Sequence, residues 1–144
     1  MAEYDQNSEV KHVAGVSHAA ITATTTTSAA IDTLGYESVT LLASSGSATM
    51  DGSFTVALTE GDTSGGAFTA VATGDMIGGS ATTPFGLVFA IGDEDLHLRA
   101  GYRGKKQWVK VVVTETAANT TGVIGGSILL GNPKTIPVTA QNAV

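Results

Sequence analysis

The stretch from residue 107 to residue 115 reads QWVKVVVTE, and it decides the fold class. Val109, Val111 and Val113 occupy every second position, as a β-strand with one buried face requires. Their β-branched side chains also favour pleated structure. The same alternation recurs at residues 54–59, where apolar and small polar residues take turns. Both stretches therefore predict half-buried β-strands.

Further strand signals extend this pattern over most of the chain. Period-2 alternation continues at residues 96–103, and shorter candidate strands cover residues 20–26, 38–43, 67–72, 86–91 and 123–130. Clusters of Gly, Ser, Thr and Asp, which favour turns, separate them at residues 44–47, 51–52, 61–66, 78–80 and 92–95. About eight short strands without intervening helices predict an all-β fold, an antiparallel β-sandwich of jelly-roll type.

The two ends of the chain differ in composition from its centre. Residues 1–30 hold few large apolar side chains, so we expect an extended N-terminal arm there. Pro133 and Pro137 disfavour a central strand, so we expect residues 132–144 to form an extended C-terminal tail. Such arms suit a subunit that reaches a neighbour, although frayed termini would have the same composition. The sandwich domain itself is predicted to cover residues 31–131.

Composition excludes several classes of protein. The chain has 144 residues, which suits one domain, and it contains no cysteine for a disulfide scaffold or a thiolate zinc site. Seven Lys and Arg against 13 Asp and Glu give a net charge of -6, which argues against binding nucleic acid or an anionic membrane. The acidic N-terminus does not resemble a signal peptide, and no apolar run approaches the roughly 18 residues of a membrane span. We expect synthesis and folding in a cytosol.

The search for catalytic or metal-binding chemistry finds little. His12 and His18 on one extended strand would point to one face roughly 20 Å apart, too far for one metal ion. His97 alternates with apolar neighbours and is expected to face solvent. Residues 93–95 are acidic, but they lack the Asp-x-Asp-x-Asp-Gly spacing of a calcium loop. No Gly-x-Ser-x-Gly elbow is present. We therefore expect no enzymatic activity, no catalytic residue, no metal and no cofactor.

Basic residues are concentrated in one short region. Five of the seven Lys and Arg residues fall within residues 99–110, where Gly104 is predicted to occupy the left-handed position of a tight hairpin. Nearby Arg and Trp side chains favour a protein–protein interface, whereas a solvated hairpin or a nucleic-acid contact are the alternatives. The predicted partner-binding residues are Arg99, Arg103, Lys105, Lys106, Trp108 and Lys110.

Several segments resemble one protein family. These segments are residues 31–40, 54–62, 68–71, 101–111 and 129–133. In this order they resemble the small capsid decoration (cement) proteins of tailed bacteriophages, over roughly residues 31–138. The resemblance implies a jelly-roll-like sandwich without enzymatic activity, bound as a homotrimer to the major capsid protein on the outer surface of the virion. There it would bridge neighbouring capsid subunits and stabilise the DNA-filled head.

A binding module is the alternative function. A phage tail or fibre domain, or a carbohydrate-binding β-sandwich, would share the predicted fold. Sugar-binding platforms use exposed aromatic side chains for stacking, and this chain has an aromatic content of 6% with a single tryptophan, Trp108. The two functions differ in one observable property, which is a glycan signal that depends on Trp108.

Overall fold

The central strands of the molecule alternate between buried and partly exposed side chains. The computed structural model describes residues 9–21, 24–46, 50–78, 85–116, 122–134 and 142–143. Phe54–Gly61 and Trp108–Glu115 are strands that pair antiparallel along their whole length. The inward side chains of the second strand, Val109, Val111 and Val113, are fully buried. The two strands predicted from alternation are confirmed.

Twelve strands occur in the described residues, together with one turn of 3₁₀ helix at Thr73–Asp75. In chain order the strands are β1 (Val10–Ala20), β2 (Thr25–Thr27), β3 (Ile31–Asp32), β4 (Tyr36–Ser45), β5 (Phe54–Gly61), β6 (Thr69–Ala70), β7 (Met76–Ile77), β8 (Leu87–Phe89), β9 (His97–Tyr102), β10 (Trp108–Glu115), β11 (Val123–Pro133) and β12 (Asn142–Ala143). No helix in this part of the chain is long and apolar enough to cross a membrane.

The strand order is that of a jelly roll. The first sheet has the order β12-β1-β11-β4-β9-β7, and the second has the order β2-β10-β5-β6, with β3 beside β10 and β8 beside β5. β1 pairs with β11, β2 and β3 with β10, β4 with β9, and β5 with β8, all antiparallel. This is the pairing of a hairpin rolled into two packed sheets. Only the short β12 runs parallel to its neighbour among the described strands. The predicted antiparallel sandwich is confirmed.

One hydrophobic core lies between the sheets. Its largest fully buried side chains include Phe54, Phe85, Phe89, Leu41, Met50, Leu58, Leu87, Ile124, Ile128 and Leu130. Full burial of one such side chain stabilises the fold by roughly 1.5–3 kcal/mol. The Gly126 backbone lies close to the opposite sheet, and a Cβ atom there would lie 2.7 Å from the side-chain atom Cγ1 of Val111. Glycine is required there because the packed core leaves no space for a side chain.

The N-terminal region differs from the prediction of an arm. Val10–Ala20 forms β1, which is hydrogen-bonded to β11 inside the first sheet. Val16 and Ile21 belong to the hydrophobic core. This strand was not predicted from the sequence, because register shifts on either side of Val16 interrupt the alternation of apolar residues. The sandwich therefore reaches back to residue 10, whereas residues 1–8 of the predicted arm lie outside the described residues.

The predicted boundaries at the C-terminus and at residue 20 also need correction. β11 continues to Pro133, opposite Tyr36, so the predicted tail starts inside a strand. Residues 135–141 lie outside the described residues, and residues 142–143 form β12 beside β1. The strand predicted at 20–26 straddles the end of β1 and the start of β2. In contrast, the predictions at 38–43 and 123–130 fall within β4 and β11.

Candidate functional site

The predicted basic hairpin does not form. β9 pairs with β4 and β7 in the first sheet, whereas β10 pairs with β5 in the second. Residues 103–107 therefore cross from one sheet to the other. Gly104 does not have a positive φ, and its lack of a side chain leaves room for the ring of Tyr102. The hairpin prediction is wrong because the jelly roll places β9 and β10 in opposite sheets.

Tyr102 secures this crossing between the sheets. Its hydroxyl donates a hydrogen bond to Glu60 Oε2 at 2.5 Å and accepts one from the backbone N–H of Lys106 at 3.3 Å. Burial of the ring and the bond to Glu60 raise the pKa of Tyr102 well above its ordinary value. The phenol therefore keeps its proton and remains a donor that joins β9 to β5.

Two predicted partner-binding cations instead contact the protein itself. The Arg103 guanidinium donates to the carbonyl of Gly74 through Nε at 3.0 Å and Nη2 at 2.8 Å. This contact holds the 3₁₀ helix against the end of β9. Lys106 Nζ forms an exposed ion pair with Asp62, with an N–O distance of 2.7 Å. Both side chains support the loops around the crossing.

Trp108 and Lys110 project from the outer face of the second sheet, as their shared parity predicts. Trp108 is half-buried there. Lys110 Nζ lies 4.1 Å from the ring centroid of Phe68, a cation–π contact. Lys105 is exposed on the crossing, and it forms no hydrogen bond or ion pair within the described part of the chain. The six predicted residues thus do not form one surface.

Arg99 lies apart from the other five, on the outer face of the first sheet. It borders a groove of about 490 Å³, which we call the histidine groove. One wall is formed by His12 and His18 of β1, and the other by His97 and Arg99 of β9. His97 is exposed, as predicted. The fold thereby brings all three histidines of the chain to one surface.

Small residues on the two middle strands form the floor of the histidine groove. Strand pairing across β11, β4 and β9 places residues in two rows, Gly125–Ser44–His97 and Ser127–Leu42–Arg99. Neighbouring strands are about 4.8 Å apart, so walls separated by three such steps stand about 14 Å apart. The groove exists because the outward residues of the two middle strands, except Leu42, have short side chains or none, whereas those of the walls are longer.

His18 is held in a defined position at one wall. Its imidazole occupies the space above Gly125, where any Cβ atom would collide with the ring. His18 Nε2 and Ser44 Oγ share a hydrogen bond across the floor. Gly125 lies opposite Ser44 in the sheet, so packing over Gly125 and the hydrogen bond to Ser44 both hold the His18 ring. The wall is therefore ordered by packing as well as by hydrogen bonding.

The charge of the groove differs from that of the whole chain. None of the described residues that line it is acidic, and its Arg99 has no ion-pair partner among them. Imidazole, hydroxyl and guanidinium groups are all hydrogen-bond donors, which suits them to an anionic group. The groove is thus a cationic, donor-rich surface on an acidic protein of net charge -6.

The acidic residues at positions 93 and 94 support local structure. Asp93 Oδ2 accepts a hydrogen bond from the backbone N–H of Ala90 at 2.8 Å, and Glu94 Oε1 accepts one from Met50 at 3.1 Å. Within the described ranges, no group of three His, Cys, Asp or Glu side chains is placed to hold a metal ion.

Comparisons with known proteins give no match. No protein-family model matches the chain, and no curated protein or solved structure matches it either.

No pattern in the sequence identifies the groove, because strands that are distant in the chain form it. His18 contacts Ser44, 26 positions away, and Ser44 in turn lies beside His97. No spacing within one segment signals these contacts. The one local signal was the two-residue separation of His97 and Arg99, which places both side chains on one face of a strand.

Proposed function

We propose that this chain is a structural protein of the tailed-phage virion, which binds the outer capsid surface and bridges neighbouring capsid subunits. The observation that carries the proposal is the jelly-roll strand order in a chain whose segments resemble those of capsid decoration proteins. The expected partner is the major capsid protein. The expected consequence of binding is a more stable DNA-filled head.

A small protein can stabilise a capsid shell by opposing the tension between neighbouring subunits. Packed DNA repels itself and places the junctions between capsid subunits under outward tension. A protein that contacts two neighbouring subunits opposes their separation. In a homotrimer each additional contact forms at high effective concentration, so weak single contacts combine into lasting attachment.

Three of the predicted partner-binding residues are available for such contacts. Arg103, Lys106 and Lys110 each contact other residues of the chain. Arg99 and Lys105 are exposed, and Trp108 is half-buried on an outer sheet face. These three residues remain candidates for the capsid contact, because their side chains make no polar contact with the described residues.

Binding to capsids tests the proposal directly. Purified protein is mixed with expanded heads that lack it, and the heads are recovered by sedimentation. We expect stoichiometric binding, a higher temperature of head rupture, and a trimer by analytical ultracentrifugation. Heads that already carry the protein serve as the control, because their binding positions are occupied. Failure to bind expanded heads would refute the proposal.

The alternative of a tail, fibre or carbohydrate-binding module depends on Trp108. Its outward position on the second sheet could support stacking on a sugar ring, although the neighbouring Phe68 ring is covered by Lys110. A glycan array that compares the wild type with Trp108→Ala distinguishes the two functions. Binding that is lost in the variant supports a lectin, whereas silence of both proteins favours the capsid role.

A further inference from the structure

We infer that the histidine groove is the docking site for an acidic peptide segment of the capsid partner. The inference adds a binding site to the proposed function, and it rests on that function for the identity of the partner. It assigns binding to the groove formed by His12, His18, His97 and Arg99, rather than to the basic crossing that the sequence suggests.

Charge complementarity identifies the occupant as acidic. The described lining of the groove carries a guanidinium, three imidazoles and three serine hydroxyls, but no carboxylate. Elsewhere the chain is acidic enough to reach a net charge of -6. A carboxylate in the groove would accept hydrogen bonds from Arg99 and from an imidazole N–H, which either protonation state of histidine provides.

The shape of the groove favours a peptide over a free anion. Its volume of about 490 Å³ falls in the range of sites that bind a drug-sized ligand, which is much larger than a free anion. The floor consists of backbone, glycine and short side chains together with Leu42, whose side chain can contact the aliphatic part of a glutamate. Arg99 is the one permanent charge in the described lining, so it matches a carboxylate better than a phosphate dianion.

Preorganisation of the groove favours binding at this surface. His18 is fixed by Ser44 and by the space above Gly125, so the wall does not need to reorder when a ligand enters. Arg99 is exposed on a regular strand and has no described ion-pair partner to lose. At the crossing, Arg103 would first have to release Gly74 and Lys106 would have to release Asp62.

Binding of a labelled peptide tests the assignment. The probe is a fluorescein-labelled hexaglutamate, and its affinity for the full chain is measured by fluorescence anisotropy at low salt. We expect Arg99→Gln to weaken binding at least fivefold and His97→Gln to weaken it at least twofold. The matched control is Lys134→Gln, which neutralises an exposed cation outside the groove and should change affinity by less than twofold. A labelled hexaglutamine should bind at least tenfold more weakly.

Equal effects of Arg99→Gln and Lys134→Gln would overturn the inference, because binding would then follow overall charge. Equal binding of hexaglutamine would also overturn it. If Arg99→Gln instead changes the oligomeric state in analytical ultracentrifugation, the groove is an interface between copies of this chain and not a capsid site. Arg99 is exposed, so its replacement should leave the melting temperature within about 2 °C of the wild type, which checks that the fold is intact.

Capsid binding separates this inference from the proposed function. Expanded heads should bind Arg99→Gln at least fivefold more weakly than Lys134→Gln. If both variants and the wild type bind equally well, the groove assignment fails and the capsid function stands. If the wild type binds hexaglutamate through Arg99 but does not bind heads, the capsid function fails, together with the identity of the partner.

Discussion

The outer faces of the two sheets differ although both cover the same core. On the first sheet, short side chains at Gly125, Ser44 and Ser127 leave a groove between two walls. On the second sheet, long side chains lie against one another, as Lys110 does over Phe68. The inward residues of both sheets are equally apolar and buried. The outward residues of the middle strands therefore determine whether a sheet face can hold a ligand.

The largest expected effect comes from the shared core beneath the groove. Gly126→Val should lower the free energy of unfolding by about 2–3 kcal/mol, because the new side chain would overlap Val111 and press on Val56. Gly131→Val is the matched control, since a Cβ atom there would meet Ser38 at an ordinary 3.6 Å. Urea denaturation measures both. Equal losses would mean that close packing at Gly126 does not set the spacing of the sheets.

A smaller effect is expected where the two sheets are joined at their edge. Tyr102→Phe removes the hydrogen bond to the Glu60 carboxylate and should cost about 1.5 kcal/mol at pH 7. The control is Tyr36→Phe, whose hydroxyl bonds to none of the residues described, and which should cost less than about 0.5 kcal/mol. Urea denaturation at pH 7 again gives both values.

The pH dependence of stability sharpens this prediction. Because the pKa of Tyr102 is raised in the folded state, the unfolded chain releases this proton first, near pH 10. The stabilisation is fully present below that pH and is lost as the pH rises further. The difference in stability between wild type and Tyr102→Phe should therefore shrink above pH 10. A constant difference up to pH 11.5 would contradict this assignment.

Filling the groove should affect binding more than stability. Gly125→Ala places a methyl group where the His18 ring lies, so the ring must move away from Ser44. We expect a loss of about 1 kcal/mol in the free energy of unfolding, the net value of one hydrogen bond. NMR signals of the His18 imidazole should shift, and hexaglutamate should bind more weakly. Gly131→Ala, on the same strand, should change neither property, and an unchanged His18 signal in Gly125→Ala would contradict the described contact.

The smallest effect is expected on the second sheet. Lys110→Met keeps the aliphatic chain over Phe68 but removes the charge, which should cost about 0.5 kcal/mol. Lys105→Met removes an exposed charge that touches no described aromatic ring, so its stability should match the wild type within error. Thermal denaturation in low salt distinguishes the two. Hexaglutamate affinity unchanged in Lys110→Met would support the difference between the faces.

Local patterns in the sequence predict the fold better than they predict the site. Alternation at residues 54–59 and 109–113 identifies β5 and β10, because every second side chain enters the core. β1 was not predicted, because the register shifts around Val16 break that alternation. Its burial depends on pairing with β11, more than a hundred positions away, which no local pattern reports.

The arrangement of the predicted partner-binding residues could not be derived from the sequence, for the same physical reason. Arg99 and Arg103 are close in sequence, yet one borders the groove and the other binds the carbonyl of Gly74. A count of charges in one segment does not reveal which cations find partners inside the fold. Parity along a strand was reliable, since it placed His97 with Arg99 and Trp108 with Lys110. Parity along one strand does not reveal which strands pair, and this pairing determines where the other side chains lie.

The parallel pairing of β12 with β1 offers a position for a spectroscopic label. It places residue 143 opposite Val13, directly after His12 in the wall of the groove. Because the chain contains no cysteine, Ala143→Cys would introduce a unique thiol for one fluorophore or spin label. Such a label would be attached to the strand that pairs with β1, and it would replace none of the described residues that line the groove. Its emission or mobility could then report occupancy on intact heads, where peptide titrations are impractical.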